Sequence, residues 1–194
     1  EDSMEGIVPM QRLVQGDVGS GKTAIAILAL TKIVENGYQG ALMAPTEVLA
    51  AQHFKTFQQV FKGMPVKTAY LSGHTKAAER KEILEQLKDG SIHILIGTHA
   101  LIEENVVFSA LGLVITDEQH RFGVKQRQAL ESKGKSPHVL IMTATPIPRT
   151  MALSVYGDLD VSFIKGMPPG RHPVKTYVVG SHMPVSYTHL TLPT

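Results

Sequence analysis

The chain contains no cysteine. Disulfides, thiolate metal sites and cysteine nucleophiles are therefore excluded, in keeping with a reducing compartment. No uninterrupted apolar run approaches the ~18 residues that a membrane span requires, and the N-terminus has no basic region leading into an apolar signal core. A soluble, cytoplasmic protein with no membrane partner is the expectation. Neither sign of charge dominates, since 19 basic residues face 17 acidic ones for a net charge of +2. That balance is compatible with a nucleic-acid partner and too slight to announce one. The nine histidines include no H-x-x-x-H pair, so surface or capping roles are expected ahead of zinc ligation. Internal repeats, coiled-coil heptads and the N-K-x-D or T-K-x-D guanine motif are also missing.

What is present is a phosphate loop. Gly16-Asp17-Val18-Gly19-Ser20-Gly21-Lys22-Thr23 is a complete G-x-x-x-x-G-K-[ST] octamer between the apolar stretch Leu13-Val14-Gln15 and a helical run. In this pattern glycines let successive backbone N–H groups turn toward phosphates, the Lys22 ammonium reaches the β- and γ-phosphates, and the Thr23 hydroxyl takes a place on Mg²⁺. The competing reading is a glycine-rich turn, which the strand before and the helix after disfavour. A nucleoside triphosphate with Mg²⁺ is thus the expected ligand. A second element, Leu113-Val114-Ile115-Thr116-Asp117-Glu118-Gln119-His120, ends an apolar strand on two carboxylates. Asp117 is placed to hold Mg²⁺ and Glu118 to orient or deprotonate the attacking water. A solvated Asp-Glu pair opening a loop is the plainer alternative.

A length of 194 residues with 43% hydrophobic content suits one well-buried domain. Strand-length apolar runs alternate with helical patterns, which argues for an α/β fold with a mostly parallel sheet covered by helices on both faces. Strands are expected at 12–15, 41–44, 67–71, 93–97, 113–116, 139–142 and 162–164. Helices are expected at 22–35, 47–61, 76–88, 124–131 and 148–155. Asn36-Gly37 is a helix-stop signal, and Thr75 with Glu79 beyond it makes an imperfect capping box. The folded domain is assigned to 1–179. Residues 180–194 are assigned to a tag- or vector-derived or disordered tail, because Gly180-Ser181-His182-Met183 reads as a protease-tag scar and no charged residue follows Lys175. The short approach from Glu1 to the phosphate-loop strand suggests a chain cut from a longer one.

Three further segments lie at strand ends. Met43-Ala44-Pro45-Thr46-Glu47 and Ile96-Gly97-Thr98-His99-Ala100 place small polar groups on the open edge of the sheet, where a phosphate backbone could lie or where turn chemistry alone could account for them. Ile141-Met142-Thr143-Ala144-Thr145-Pro146 puts two hydroxyls within reach of the acidic tetrapeptide.

Taken in order, GDVGSGKT, APTE, GTHA, DEQH and TAT resemble the helicase superfamily whose core is two RecA-like lobes. Arg121-Phe122-Gly123-Val124, Pro146-Ile147-Pro148-Arg149-Thr150 and Pro168–Arg171 are similar to the branch shared by RecG-like and transcription-repair coupling helicases. Gln119 and Ala100 fall on the RecG-like side. The resemblance runs from Met10 to about Val179. It implies an ATP-dependent DNA helicase motor lobe in which Gly16, Gly19, Ser20, Gly21, Lys22 and Thr23 bind ATP·Mg²⁺, Asp117 holds the metal and Glu118 activates water. Gln119, His120, Thr143 and Thr145 would couple hydrolysis to movement. Thr46, Thr98 and His99 would mark the DNA-tracking edge, with Glu47 capping a helix. The resemblance further implies branched or forked DNA as the partner of the whole protein, and a wedge domain and second lobe that this length does not accommodate. The adenine-reading glutamine would fall before the chain's start unless Gln11 or Gln15 substitutes. A coupling-factor lobe and a nucleotide switch without nucleic acid are the alternatives.

Overall fold

The computed structural model describes Met4 and residues 9–117, 124–145 and 159–164. Seven strands alternate with helices: β1 (Gln11–Gln15), α1 (Lys22–Glu35), β2 (Gln39–Met43), α2 (Glu47–Val60), β3 (Thr68–Leu71), α3 (Ala77–Lys88), β4 (Ile94–Gly97), a 3-10 turn (His99–Ile102), β5 (Leu111–Asp117), α4 (Val124–Glu131), β6 (His138–Thr143) and β7 (Asp160–Phe163). All pair in parallel, in the order β3-β4-β2-β5-β6-β1-β7. Strands buried on both faces read as continuous apolar runs; β2, β4 and β5 are buried at every position.

Handedness decides which face each helix covers. The connections β1→β2 and β2→β3 move one way across the sheet, and β3→β4, β4→β5 and β5→β6 move back. A right-handed crossover must therefore lie on opposite faces for the two directions. The side chains follow this rule. Ala26, Leu30 and Ile33 of α1 and Phe57 of α2 pack with Leu42, Ile96, Leu113, Ile115 and Leu140 on one face. Ile83 and Leu87 of α3 and Leu130 of α4 pack with Ala41, Met43, Leu71, Leu95 and Val114 on the other. Each fully buried aliphatic or aromatic side chain contributes about 1.5–3 kcal/mol.

The expected elements agree with these to within one or two residues, and α1 spans the expected 22–35. Asn36 caps α1 and Gly37 takes φ 79°, which satisfies the stop signal. β5 starts earlier than expected because Leu111 pairs with Gln39 across an irregularity between Gln39 and Gly40. The buried Gln39 side chain makes this possible: it donates to the carbonyls of Leu87 and Ile92 and accepts from the Ala110 amide. The box expected at Thr75 is not formed. Lys76 is the N-cap of α3 and makes no side-chain cap, while the Thr75 hydroxyl accepts from the Ser72 amide at 3.0 Å. The helix expected at 148–155 and the tail at 180–194 lie outside the described residues. Among the described residues no helix is long and apolar enough to cross a membrane, and no group of three or more His, Asp or Glu could hold a metal ion by itself.

Candidate nucleotide site and strand-end edge

Strand order brings the two motifs together. In the run β5-β6-β1, Asp117 is level with Met142 and Gln15 is level with Thr143. Two strand spacings therefore separate the phosphate loop from the Asp117 carboxylate, about 10 Å. The helices after β1 and β5 leave to opposite faces, so a crevice opens beyond the carboxyl ends of these strands, the place where open parallel sheets hold ligands.

The loop is built for close approach. Gly16 is buried, and its amide donates to the Thr143 carbonyl at 3.2 Å. A Cβ there would sit 2.5 Å from Ser20 Oγ and 3.0 Å from Ile164 Cβ. Gly19 and Gly21 take φ of 79° and 99°, the left-handed region that glycine enters without strain. Gly21 is the N-cap of α1 and offers no side chain for that role, so the free amides and positive end of the helix face the loop. Ser20 amide closes a turn on the Asp17 carbonyl at 3.1 Å. Asp17 also accepts from the Val18 amide, and Val18 itself is exposed. Lys22 leads α1, and its ammonium donates to the Gly16 and Asp17 carbonyl oxygens at 2.6 and 2.9 Å. Thr23 follows on the same turn and is half-buried. Ser20 Oγ is buried with no hydrogen-bond partner among the described residues. A cation at the loop, an orphan hydroxyl and two left-handed glycines leading into a helix N-terminus suit a polyphosphate with its Mg²⁺.

Across the crevice, Asp117 ends β5 with its side chain 9% exposed, and Oδ2 lies 2.7 Å from His53 Nε2. Sequence reasoning missed His53, having assigned histidines to surface and capping roles. His93 and His138 do accept from the Lys67 and Met10 amides, and His74 is exposed. His53 differs because α2 buries it beside Ala50 and Phe57. The available signal was its place three residues after Ala50 and four before Phe57 on that face, where a polar side chain must find a partner. Between the motifs, Thr143 Oγ1 lies 3.1 Å from Thr145 Oγ1 and accepts from the Thr145 amide. Glu118, Gln119 and His120 lie outside the described residues, as do Arg121 and Arg149.

The strand-end edge is more divided than expected. Thr46 is exposed, and its hydroxyl accepts from the Leu49 amide at 3.3 Å as the N-cap of α2. Glu47 is therefore the first helical residue and not the cap. Its carboxylate accepts instead from His74 Nδ1 at 2.8 Å, which holds the Glu47 pKa below its usual value and the His74 pKa above its own. Thr98 is buried, and its Oγ1 has no partner among the described residues. Its hydroxyl is thus not presented at the surface, whereas His99 is exposed on the 3-10 turn. Gln11 lies about 13 Å from the loop end of β1, and Gln15 is buried, so neither is exposed beside the loop as an adenine reader would be.

Comparison with known proteins gives a consistent picture. The DEAD/DEAH box helicase family model matches residues 4–153. The chain is 57% identical over 174 residues to the ATP-dependent DNA helicase RecG of Bacillus subtilis, covering 90% of this chain and 26% of that protein. It is 56% identical over 171 residues to RecG of Aquifex aeolicus, covering 87% of this chain and 22% of the relative. It thus spans about a quarter of the length of these relatives. A structure of RecG bound to a three-way DNA junction superposes with a TM-score of 0.76 at 49% identity, over 89% of this chain and 23% of that one. The Pyrococcus furiosus Hef helicase domain, 22% identical with a TM-score of 0.64 over 80% of this chain and 35% of its own, shares the fold.

Proposed function

Since the chain belongs to the DEAD/DEAH box helicase family, we propose that it is the first, ATP-binding RecA-like motor lobe of a RecG-type DNA helicase, with residues 1–179 forming the lobe. The observation that carries this reading is the placement of the phosphate loop and Asp117 on either side of β6, with Thr143 and Thr145 between them.

In this reading the backbone of Gly16, Asp17, Val18, Gly19, Ser20 and Gly21 cradles the phosphates of ATP. Lys22 exchanges its two carbonyl contacts for the β- and γ-phosphates, a charge-assisted pairing that is the stronger one. Thr23 and Asp117 hold Mg²⁺, which supplies charge neutralisation at the transferring phosphoryl group. Glu118 orients the attacking water and accepts its proton. Gln119, His120, Thr143 and Thr145 pass the state of the γ-phosphate to the strand-end edge, where Thr46, His99 and the backbone at Thr98 meet the DNA. The whole protein acts on branched or forked DNA, and a second lobe supplies an arginine to the phosphoryl group. The similarity to RecG relatives and to the junction-bound RecG structure supports this over a coupling-factor lobe or a nucleic-acid-free switch.

The test is binding of a fluorescent ATP analogue to the 194-residue chain. Lys22→Ala removes the cation at the loop and abolishes binding. Unchanged affinity would sink the nucleotide-site reading.

A further inference from the structure

His53 is the polar member of an otherwise apolar helix face, in line with Ala50 and Phe57. Burying an imidazole costs free energy unless its polar atoms are engaged. The engagement here is with the one carboxylate that ends β5 toward the crevice, at 2.7 Å, with both side chains nine-tenths buried. When Asp117 is ionised, as a metal-binding carboxylate must be, it can only accept hydrogen bonds, so Nε2 carries the proton and His53 donates. A carboxylate on a strand end has two soft torsions. A donor fixed on Oδ2 removes the freedom of the second and leaves Oδ1 in one orientation.

The donor arrives on a rigid element. α2 begins at the Thr46 cap, and His53 stands about 10 Å further along its axis. Phe57, one turn beyond, is fully buried, so the helix cannot roll without breaking the core. Partners that fix the orientation of a metal-binding group are worth about 10–100-fold in metal affinity.

We infer that His53 is a positioning residue that holds the Asp117 carboxylate in the orientation needed for the Mg²⁺ of bound ATP. The inference rests on Asp117 being the Mg²⁺ ligand, as proposed above. A purely structural role would anchor α2 on the sheet and leave the metal site indifferent to the chemistry at position 53.

The experiment measures affinity for a fluorescent, non-hydrolysable ATP analogue with saturating Mg²⁺ and again in EDTA, on the 194-residue chain. Wild type binds more tightly with Mg²⁺, and absence of that gain would refute the assignment of Thr23 and Asp117 to Mg²⁺ on which the inference rests. Given the gain, His53→Leu, which fills the space without a donor, lowers it about 10-fold or more and leaves the metal-free affinity at the wild-type value. His53→Gln places an amide N–H near the Nε2 position and keeps the gain within about threefold of wild type, well short of the ~10-fold minimum for a lost orienting partner. His53→Asn, whose amide ends short of Oδ2, behaves like leucine and replaces it in the comparison should the leucine variant not fold. Metal-free binding reports that the fold and loop are intact in each variant. A Mg²⁺ gain in the leucine or asparagine variant equal to wild type overturns the inference, as does an equal loss in the glutamine and leucine variants.

Discussion

Gly97 sits inside a motif read as an edge for DNA, yet its surroundings assign it a packing role whose cost can be worked out. It ends β4, pairs with Leu71 of β3 and Met43 of β2, and is buried. A Cβ at this position would overlap the Leu71 carbonyl oxygen and lie 2.9 Å from its carbonyl carbon, and it would also press on the Leu101 side chain. The obstacle is backbone, so relief requires β3 to move away from β4. That movement stretches the bond from the Thr98 amide to the Leu71 carbonyl, already 3.3 Å long. Overpacking costs about 1–3 kcal/mol and a lost hydrogen bond about 0.5–1.5 kcal/mol. Replacing glycine stiffens the unfolded chain and offsets about 0.4–1 kcal/mol of this. Gly97→Ala should therefore lose about 2–3 kcal/mol, a sizeable share of the 5–15 kcal/mol typical of a domain. At about 2–4 °C per kcal/mol for this chain length, Tm falls by roughly 5–10 °C. Gly73→Ala is the matched control, because a Cβ there meets nothing within 4 Å; it should stay within about 1 kcal/mol of wild type. Urea melts of both variants decide the matter. A Gly97→Ala midpoint coincident with that of Gly73→Ala would show that the sheet yields freely and that the glycine is not there for packing.

Further outcomes follow from the same geometry. His74 should titrate above its ordinary 6.5, and Glu47→Gln should bring it back down, as followed by histidine NMR; the pair's contribution is fully present between the ordinary 4.5 of Glu47 and the 6.5 of His74, and fades as pH rises through the raised His74 value or falls through the lowered Glu47 value. An unchanged His74 midpoint in Glu47→Gln would refute the pairing. In a protein carrying both lobes, Glu118→Gln should retain ATP binding and lose about 100-fold or more in hydrolysis, since the amide cannot take a proton; turnover within about twofold of wild type would assign the water to another group. The 194-residue chain alone should show negligible DNA-stimulated ATPase, because an arginine finger contributes about 10³–10⁵ in rate, and adding the second lobe should restore it. A DNA-stimulated rate near that of the two-lobe protein would mean that the arginine lies in this chain, with Arg121 and Arg149 the first to test.

Most of the architecture was legible because its signals are local. Short β-branched apolar runs such as Ile94–Ile96 and Leu113–Ile115 read as strands buried on both faces, and the Gly-Lys-Thr start and Asn-Gly stop bracket α1. What the sequence left open are relations between distant positions. Nothing local says that His53 and Asp117, 64 residues apart, share a hydrogen bond. Nor does the GTHA segment reveal that Thr98 is turned inward and His99 outward, because one 3-10 turn decides both. The capping assignments slipped by a residue for a related reason. Thr46 and Glu47 can each serve an exposed N-terminus, and the backbone angles of Thr46, φ −131° and ψ 152°, settle which one stands outside the helix.

The position of β1 sets the order in which the molecule can be made. Among the described strands the earliest in the chain is inserted between the two latest, with Leu13 opposite Ile141 and Val161. The half of the sheet formed by β2, β3, β4 and β5 holds its own neighbours and can assemble while the rest is still being translated. β1 must wait for partners synthesised more than a hundred residues later, an interval of roughly 6–25 s at usual elongation rates. Its phosphate loop takes its anchor from the Thr143 carbonyl and its packing from Ile164, both at the end of that wait. A nascent chain halted before residue 138 thus carries the entire GDVGSGKT signature without the Thr143 carbonyl and the Ile164 side chain that brace it in the folded sheet.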